Sequence, residues 1–324
     1  MPAKGVFRVG GLGTAVGACV LLIAGLSACG SSGKPSADAS RPSASTGSPP
    51  EPSGSTGGSS TPSGSKSAAP KPSGTPERTP DPTPTPTAGL RLPPRHAGFD
   101  YQIGGAYPPP SGVRIVSRDR TAAPAPGLYN ICYVNAFQVQ PGEGELWPRD
   151  LVLRDGNDKA VVDGDWGEAL LDIGTAAKRK RVVARINRWI DGCADKGFDA
   201  VEPDNYDSYT RSRGLLTAND ATAFITLLAR HAHARQLAIA QKNTVELADR
   251  RKNIGLDFAV AEECGTYDEC GAYAKAFDDR VVVIEYTDSG LRKARSGFGD
   301  RLSIVRRDVM VSTPGSDDYV RKVR

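Results

Sequence analysis

From about residue 98 the chain alternates short apolar runs with longer stretches whose apolar residues recur every three or four positions. The runs at 99–103, 128–137, 170–173, 200–202, 238–241, 258–261, 281–286 and 302–305 read as strands. Residues 176–196 place Val182, Val183, Ile186, Trp189 and Ile190 on one helical stripe. Residues 217–235 do the same with Phe224, Leu227 and Leu228, after the capping sequence Thr217-Ala218-Asn219-Asp220. Shorter helical patterns fall at 245–253, 267–278 and 289–295. Strand and helix in strict succession predict a parallel sheet. Eight strands with intervening helices suit a closed (β/α)8 barrel of the TIM type, and 108–126 and 141–165 predict loops within it. The alternative, an open doubly wound sheet, wants a glycine-rich phosphate loop after its first strand. Gly104-Gly105-Ala106-Tyr107-Pro108 instead puts proline where the receiving helix would begin.

The strands end unusually. Val201-Glu202-Pro203-Asp204-Asn205, Ile239-Ala240-Gln241-Lys242-Asn243, Val260-Ala261-Glu262-Glu263-Cys264 and Val283-Ile284-Glu285-Tyr286 each pass from apolar to carboxylate, amide or lysine. Parallel barrels build their active sites from C-terminal strand ends, and paired carboxylates are the groups glycoside hydrolysis uses. Residues two apart in extended chain share a face, so Glu202 and Asp204 are expected to enter the mouth together, with Pro203 stiffening the exit. A helix cap at Asp204 or Asn205 is the plainer alternative. Glu262 and Glu263 are adjacent and should face opposite sides, and two like charges so close favour keeping one protonated. Lys242 can pair with these carboxylates or hold a substrate oxygen. Asp100 and Tyr101 in the first strand, Asn135, Asp172, Asn205, and Glu285 with Tyr286 complete the candidate binding set. Trp166 reads equally as a sugar platform or a core residue.

Composition divides the chain into three parts. Residues 1–28 carry Lys4 and Arg8, an apolar stretch from 9 to 26, and small residues before Cys29. This resembles a bacterial lipoprotein signal with Cys29 as the lipidated first residue; an ordinary secretory signal or an N-terminal anchor would share most of these features. Residues 29–94 are rich in Ser, Gly, Thr and Pro and predict a disordered tether, because they hold too little apolar surface to offset the entropy of ordering. Residues 95–324 are left as one domain, large enough for a sizeable core. Of 41 basic and 37 acidic residues, 8 and 4 precede residue 95, and 41 less 8 and 37 less 4 leave 33 of each in the domain. The overall +4 therefore gives no reason to expect nucleic acid as a partner. Lys178-Arg179-Lys180-Arg181 opens a helical pattern and reads as a solvated face. Cys132, Cys193, Cys264 and Cys270 allow three pairings; Cys264 with Cys270 closes a short loop and leaves Cys132 for Cys193. Their spacing and the few histidines (His96, His231, His233) do not suit zinc, and no metal or cofactor is expected. His231 and His233 lie two apart on a helix, do not share a face, and read as packing or surface residues. No Gly-x-Ser-x-Gly elbow is present.

Several segments taken in order resemble one family. They are Cys132-Tyr133-Val134-Asn135-Ala136-Phe137-Gln138, Lys196-Gly197-Phe198-Asp199-Ala200-Val201-Glu202-Pro203-Asp204-Asn205, Gln241-Lys242-Asn243, Glu262-Glu263-Cys264 with Tyr267 and Cys270, and Glu285-Tyr286. Together they look like glycoside hydrolase family 114, whose members are similar to endo-α-1,4-polygalactosaminidases on a β/α barrel. The resemblance implies cleavage of an α-1,4-linked galactosamine polymer by two carboxylates, Asp204 and Glu262; Asp204 is read as nucleophile and Glu262 as acid/base, with the reverse assignment open. It implies a cationic polysaccharide as partner, to which a mouth lined by Asp100, Asp172, Glu202, Asp204, Glu262, Glu263 and Glu285 would be attractive. A monomer held at the cell surface through a lipid on Cys29 is the expected setting, with a non-catalytic carbohydrate binder or a hydrolase of a different glycan as the alternatives. The tail from 300 to 324 is unusually basic for the end of a barrel.

Overall fold

The structure is a computed structural model that describes residues 89–324; the expected signal, Cys29 and most of the expected tether lie outside the described residues. Eight parallel strands make the frame: β1 (Gly98–Gln102), β2 (Val113–Asp119), β3 (Tyr129–Asn135), β4 (Ala200–Asp204), β5 (Ala238–Lys242), β6 (Phe258–Glu262), β7 (Val281–Glu285) and β8 (Ser303–Arg307). Each pairs in parallel with the next in chain order, as in a TIM-type barrel. Period-two alternation separates two cores. Tyr101, Ile131, Ala240, Val260, Ile284 and Val305 pack together inside the barrel. Val201, Ile239, Ala261, Val283 and their neighbours face outward against the helices.

The helices follow from the sequence pattern. α1 (Ala176–Lys196) starts where Thr175 accepts from the Lys178 amide and stops at Gly197, whose φ of 87° a non-glycine residue adopts only with strain. α2 (Ala218–Ala234) begins with a capping box between Thr217 and Asp220. α3 (Cys270–Phe277) and α4 (Asp288–Phe298) cover β6 to β8. The basic run of α1 is spent on ion pairs, Lys178 with Asp172, Arg179 with Asp220 and Arg181 with Asp150. His231 and His233 are also tied down, to Asp191 and Asp257.

The strand reading needs two corrections. β2 lies inside the stretch expected to be a loop. Its apolar pattern is interrupted by Ser117 and Arg118, which are nonetheless buried. Arg118 is satisfied by Gln102 Oε1 and the Ala123 and Tyr107 carbonyls at 2.7–2.9 Å. The run 170–173 is not a barrel strand. Ala169–Leu170 pairs antiparallel with Gln138–Val139 in a small sheet outside the barrel, and Leu170, Leu171 and Ile173 are buried there in the outer core. Leu90 and Leu92, inside the expected tether, pack against the inner core.

Two disulfides join Cys132 to Cys193 and Cys264 to Cys270. They fit an exported protein. No helix among the described residues is long and apolar enough to cross a membrane. Among the described residues β1 and β8 share no ladder, and side chains bridge their seam. Ser303 Oγ accepts from the Ala97 amide at 2.9 Å, and Arg321 reaches the Phe99 carbonyl and the Asp100 carboxylate. The basic tail finds its purpose here. Arg321–Lys322 pairs antiparallel with β8, Arg307 and Arg321 converge on Asp100, and Arg306 and Lys322 converge on Asp288.

Candidate active site

At the C-terminal end of the barrel one ammonium gathers three carboxylates. Lys242 Nζ lies 3.1 Å from Glu202 Oε1, 3.0 Å from Asp204 Oδ1 and 3.4 Å from Glu262 Oε2. Strand parity explains the meeting. Glu202 and Asp204 are two apart on β4, and Lys242 and Glu262 close β5 and β6 on the same inner face. Burial works against the charge of Lys242, but Asp204, Glu262 and Glu202 outweigh it and hold the amine well above its ordinary pKa. Burial likewise pushes Asp204 up, yet Lys242 and the hydrogen bonds it receives prevail, and its carboxyl falls below the usual range. One of those bonds comes from Tyr133, whose hydroxyl donates to Asp204 Oδ2 at 2.6 Å. Glu262 is held from two sides: the Tyr286 hydroxyl donates to Oε1 and Asn243 Nδ2 to Oε2. The Glu262 amide returns a bond to Asn243 Oδ1.

Beneath this pair, Glu202 is sealed from solvent. Burial pushes its pKa up, opposed by Lys242 and by donation from Ser117 and Tyr101. Three donors and no acceptor face it, at 2.7 to 3.1 Å, an environment suited to an ionised carboxylate. Glu202 thus anchors Lys242 from below and does not line the open mouth.

Asn205, Asn243 and Glu263 each follow the last residue of a barrel strand, and all three have positive φ, 65°, 47° and 56°. The chain kinks one step beyond Asp204, Lys242 and Glu262. Such backbone in non-glycine residues gathers at functional sites. Asn135 Oδ1 accepts from Asn205 Nδ2 at 3.1 Å, joining the exits of β3 and β4.

The structure therefore brings together Tyr101, Asn135, Glu202, Asp204, Asn205, Lys242, Glu262 and Tyr286. Glu263 stands beside them, nearly buried, and burial, then Glu285 and Glu262, push its pKa up to about 7. Besides Glu202, three expected mouth residues are elsewhere. Asp100 is buried at the seam with Arg307 and Arg321. Asp172, lying off the barrel strands, pairs with Lys178 and accepts from the Gly174 amide. Glu285 has the outward parity of β7 and accepts from the Gly265 amide and the Thr266 hydroxyl. Those three are neutralised or turned away, so the mouth is less acidic than the strand ends suggested. Tyr133 and Asn243 were not among the expected site residues, although Tyr133 shares its strand face with Asn135. Cys264, Cys270 and Glu285 are a close group of metal-ligating type among the described residues, but the two sulfurs are bonded to each other.

Glycoside-hydrolase family GH114 matches residues 79–323. The chain belongs to this family. The fold agrees with that of Ega3 from Aspergillus fumigatus, crystallised with galactosamine, at a TM-score of 0.60 and 24% identity over 70% of this chain and 96% of that one. The glycoside hydrolase domain of PelA from Pseudomonas aeruginosa is also similar, with a TM-score of 0.49 and 14% identity over 69% of this chain and 99% of that one. No curated protein matches the chain. As a GH114 member, the chain is a glycoside hydrolase.

Proposed function

We propose that this GH114 member hydrolyses an α-1,4-linked, galactosamine-containing polysaccharide, with Asp204 as nucleophile and Glu262 as acid/base. The observation that carries this reading is the convergence of both carboxylates on the single ammonium of Lys242. Asp204 is part-exposed, its carboxyl is held below the usual range by Lys242, and Tyr133 aims it, as a nucleophile needs. Glu262, held by Tyr286 and Asn243 beside the same ammonium, is placed to protonate a leaving oxygen and later to activate water. Because both touch one nitrogen, their nearest oxygens can be no farther apart than those two contacts laid end to end. Retaining enzymes hold their two carboxyls about 5–5.5 Å apart and inverting ones about 6.5–9.5 Å, and the anomeric configuration of the first product, read by NMR, decides between them. Ega3 was crystallised with galactosamine, and that sugar is cationic near neutral pH, which suits a carboxylate-lined mouth. Tyr101, Asn135, Asn205, Lys242, Glu263 and Tyr286 would contact or orient the substrate. In this reading the domain acts as a monomer, with residues 1–28 as signal and a lipid on Cys29 holding it to the membrane through the tether at 29–94.

The test is a panel of de-N-acetylated and N-acetylated galactosamine polymers, with products read by mass spectrometry. The wild type should release oligomers from the charged polymer. Asp204→Asn and Glu262→Gln should each lose turnover by about 10²-fold or more while still binding it. A wild type that binds and never cleaves would support the carbohydrate-binding alternative.

A further inference from the structure

Between β3 and α1 the chain leaves the barrel, and a turn at 163–168 is built with unusual firmness. The Asp163 amide donates to the Glu168 carbonyl at 2.8 Å, and the Gly167 amide to the Asp163 carbonyl at 2.9 Å. The Asp163 carboxylate is buried, forms an ion pair with Arg211 at 2.6 Å and accepts from Gln138 Nε2 at 2.9 Å. Arg211 also reaches Asn205 Oδ1, one residue beyond Asp204, at 3.2 Å. The turn is therefore fixed to the exit of the strand that carries Asp204. Glu168 closes it, and its carboxylate accepts from Asn135 Nδ2 at 2.7 Å. Glu168 is partly exposed and has no ion-pair partner among the described residues. Burial, then the charges of Asp204, Asp163 and Glu143, push its pKa up to about 7 against the donation from Asn135. Trp166, on the same turn, is 49% exposed. A carboxylate lacking a cation and an open indole on one rigid turn are complementary to a charged sugar.

We propose that the 163–168 turn is a sugar subsite beside Asp204, in which Glu168 takes the ammonium of an amino sugar and Trp166 offers its ring to the sugar face. Glu168 thereby reads whether the sugar is de-N-acetylated, because an acetamide cannot supply the cation. This subsite rests on the hydrolase reading above only for its substrate class.

The experiment measures binding of two equal-length α-1,4-galactosamine oligomers, one de-N-acetylated and one N-acetylated, by calorimetry in an Asp204→Asn background. KM and kcat are measured in parallel on the active enzyme. Glu168→Gln keeps the shape and the contact with Asn135, and should weaken the charged oligomer about ten-fold, with the loss in turnover falling on KM. Glu168→Asp should restore part of it, and Trp166→Ala should weaken both oligomers. An unchanged affinity for the charged oligomer in Glu168→Gln overturns the subsite. So does an equal loss on both oligomers, or a loss confined to kcat. A wild type that cleaves neither polymer, yet shows Glu168-dependent binding of the charged oligomer, removes the hydrolase reading and leaves the subsite standing. Turnover that is indifferent to Glu168 does the reverse.

Discussion

Replacing Lys242 by methionine tests the electrostatic core of the site. The substitution keeps roughly the same stem and removes the charge that three carboxylates share at 3.0, 3.1 and 3.4 Å. Lys242 and Glu202 are both essentially sealed, so water cannot replace the lost partner. Leaving a buried ion without its partner costs about 3–5 kcal/mol. In a domain of this size that lowers Tm by about 6–20 °C. The pH dependence supplies the sharper readout. In the native protein Asp204 sits below its ordinary pKa, so its stabilising contribution is present above that ordinary value and is lost as pH falls through the lowered one. Without Lys242, burial acts with less opposition and drives the carboxyl the other way. The variant should then gain stability on acidification, and its deficit against wild type should shrink between about pH 8 and about pH 5. Equilibrium unfolding in urea at several pH values measures both quantities. A deficit under about 1 kcal/mol, the range of an exposed ion pair, or one that is constant with pH, refutes the reasoning.

Further outcomes follow from individual contacts. Tyr133→Phe removes the hydroxyl donated to Asp204 and should reduce kcat/KM by about 1.5–3 kcal/mol of transition-state stabilisation, with the acid limb of the pH–rate profile moving to higher pH. Glu263, raised to about 7 by burial, binds a proton more tightly folded than unfolded. Its contribution is therefore full below its ordinary value and is lost as pH rises through about 7. Glu263→Gln should raise stability by about 1–2 kcal/mol at alkaline pH and by nothing in acid, as thermal melts at both ends will show. Replacing Cys132 and Cys193 by serine opens a link 61 residues apart; chain-entropy reasoning gives a loss of about 4 kcal/mol, against about 2 for the six-residue Cys264–Cys270 link. Comparable losses from the two would count against the entropic explanation.

Much of the site was legible because it depends on strand parity. Glu202, Asp204, Lys242 and Glu262 follow from apolar runs and a period of two, so their convergence could be expected from one dimension. What escaped depends on partners distant in sequence. β2 looked like a loop because Ser117 and Arg118 are polar, and their burial makes sense only beside Glu202 and Gln102. Asp100 looked like a mouth residue until Arg307 and Arg321 arrived from the far end of the domain. Glu285 was one position out of phase with the inner face, a clue that parity did offer. Asp172 was misplaced because a buried leucine pair, Leu170-Leu171, serves a small outer sheet as well as a barrel strand.

The left-handed steps at Asn205, Asn243 and Glu263 bear on how this scaffold tolerates engineering. Each acts as a swivel between a rigid staff and whatever is spliced beyond it. Grafts beginning after these positions should change what the barrel mouth accepts while the reactive groups stay aimed. Grafts beginning one residue earlier would spin Asp204, Lys242 or Glu262 out of alignment, even with the same amino acid retained.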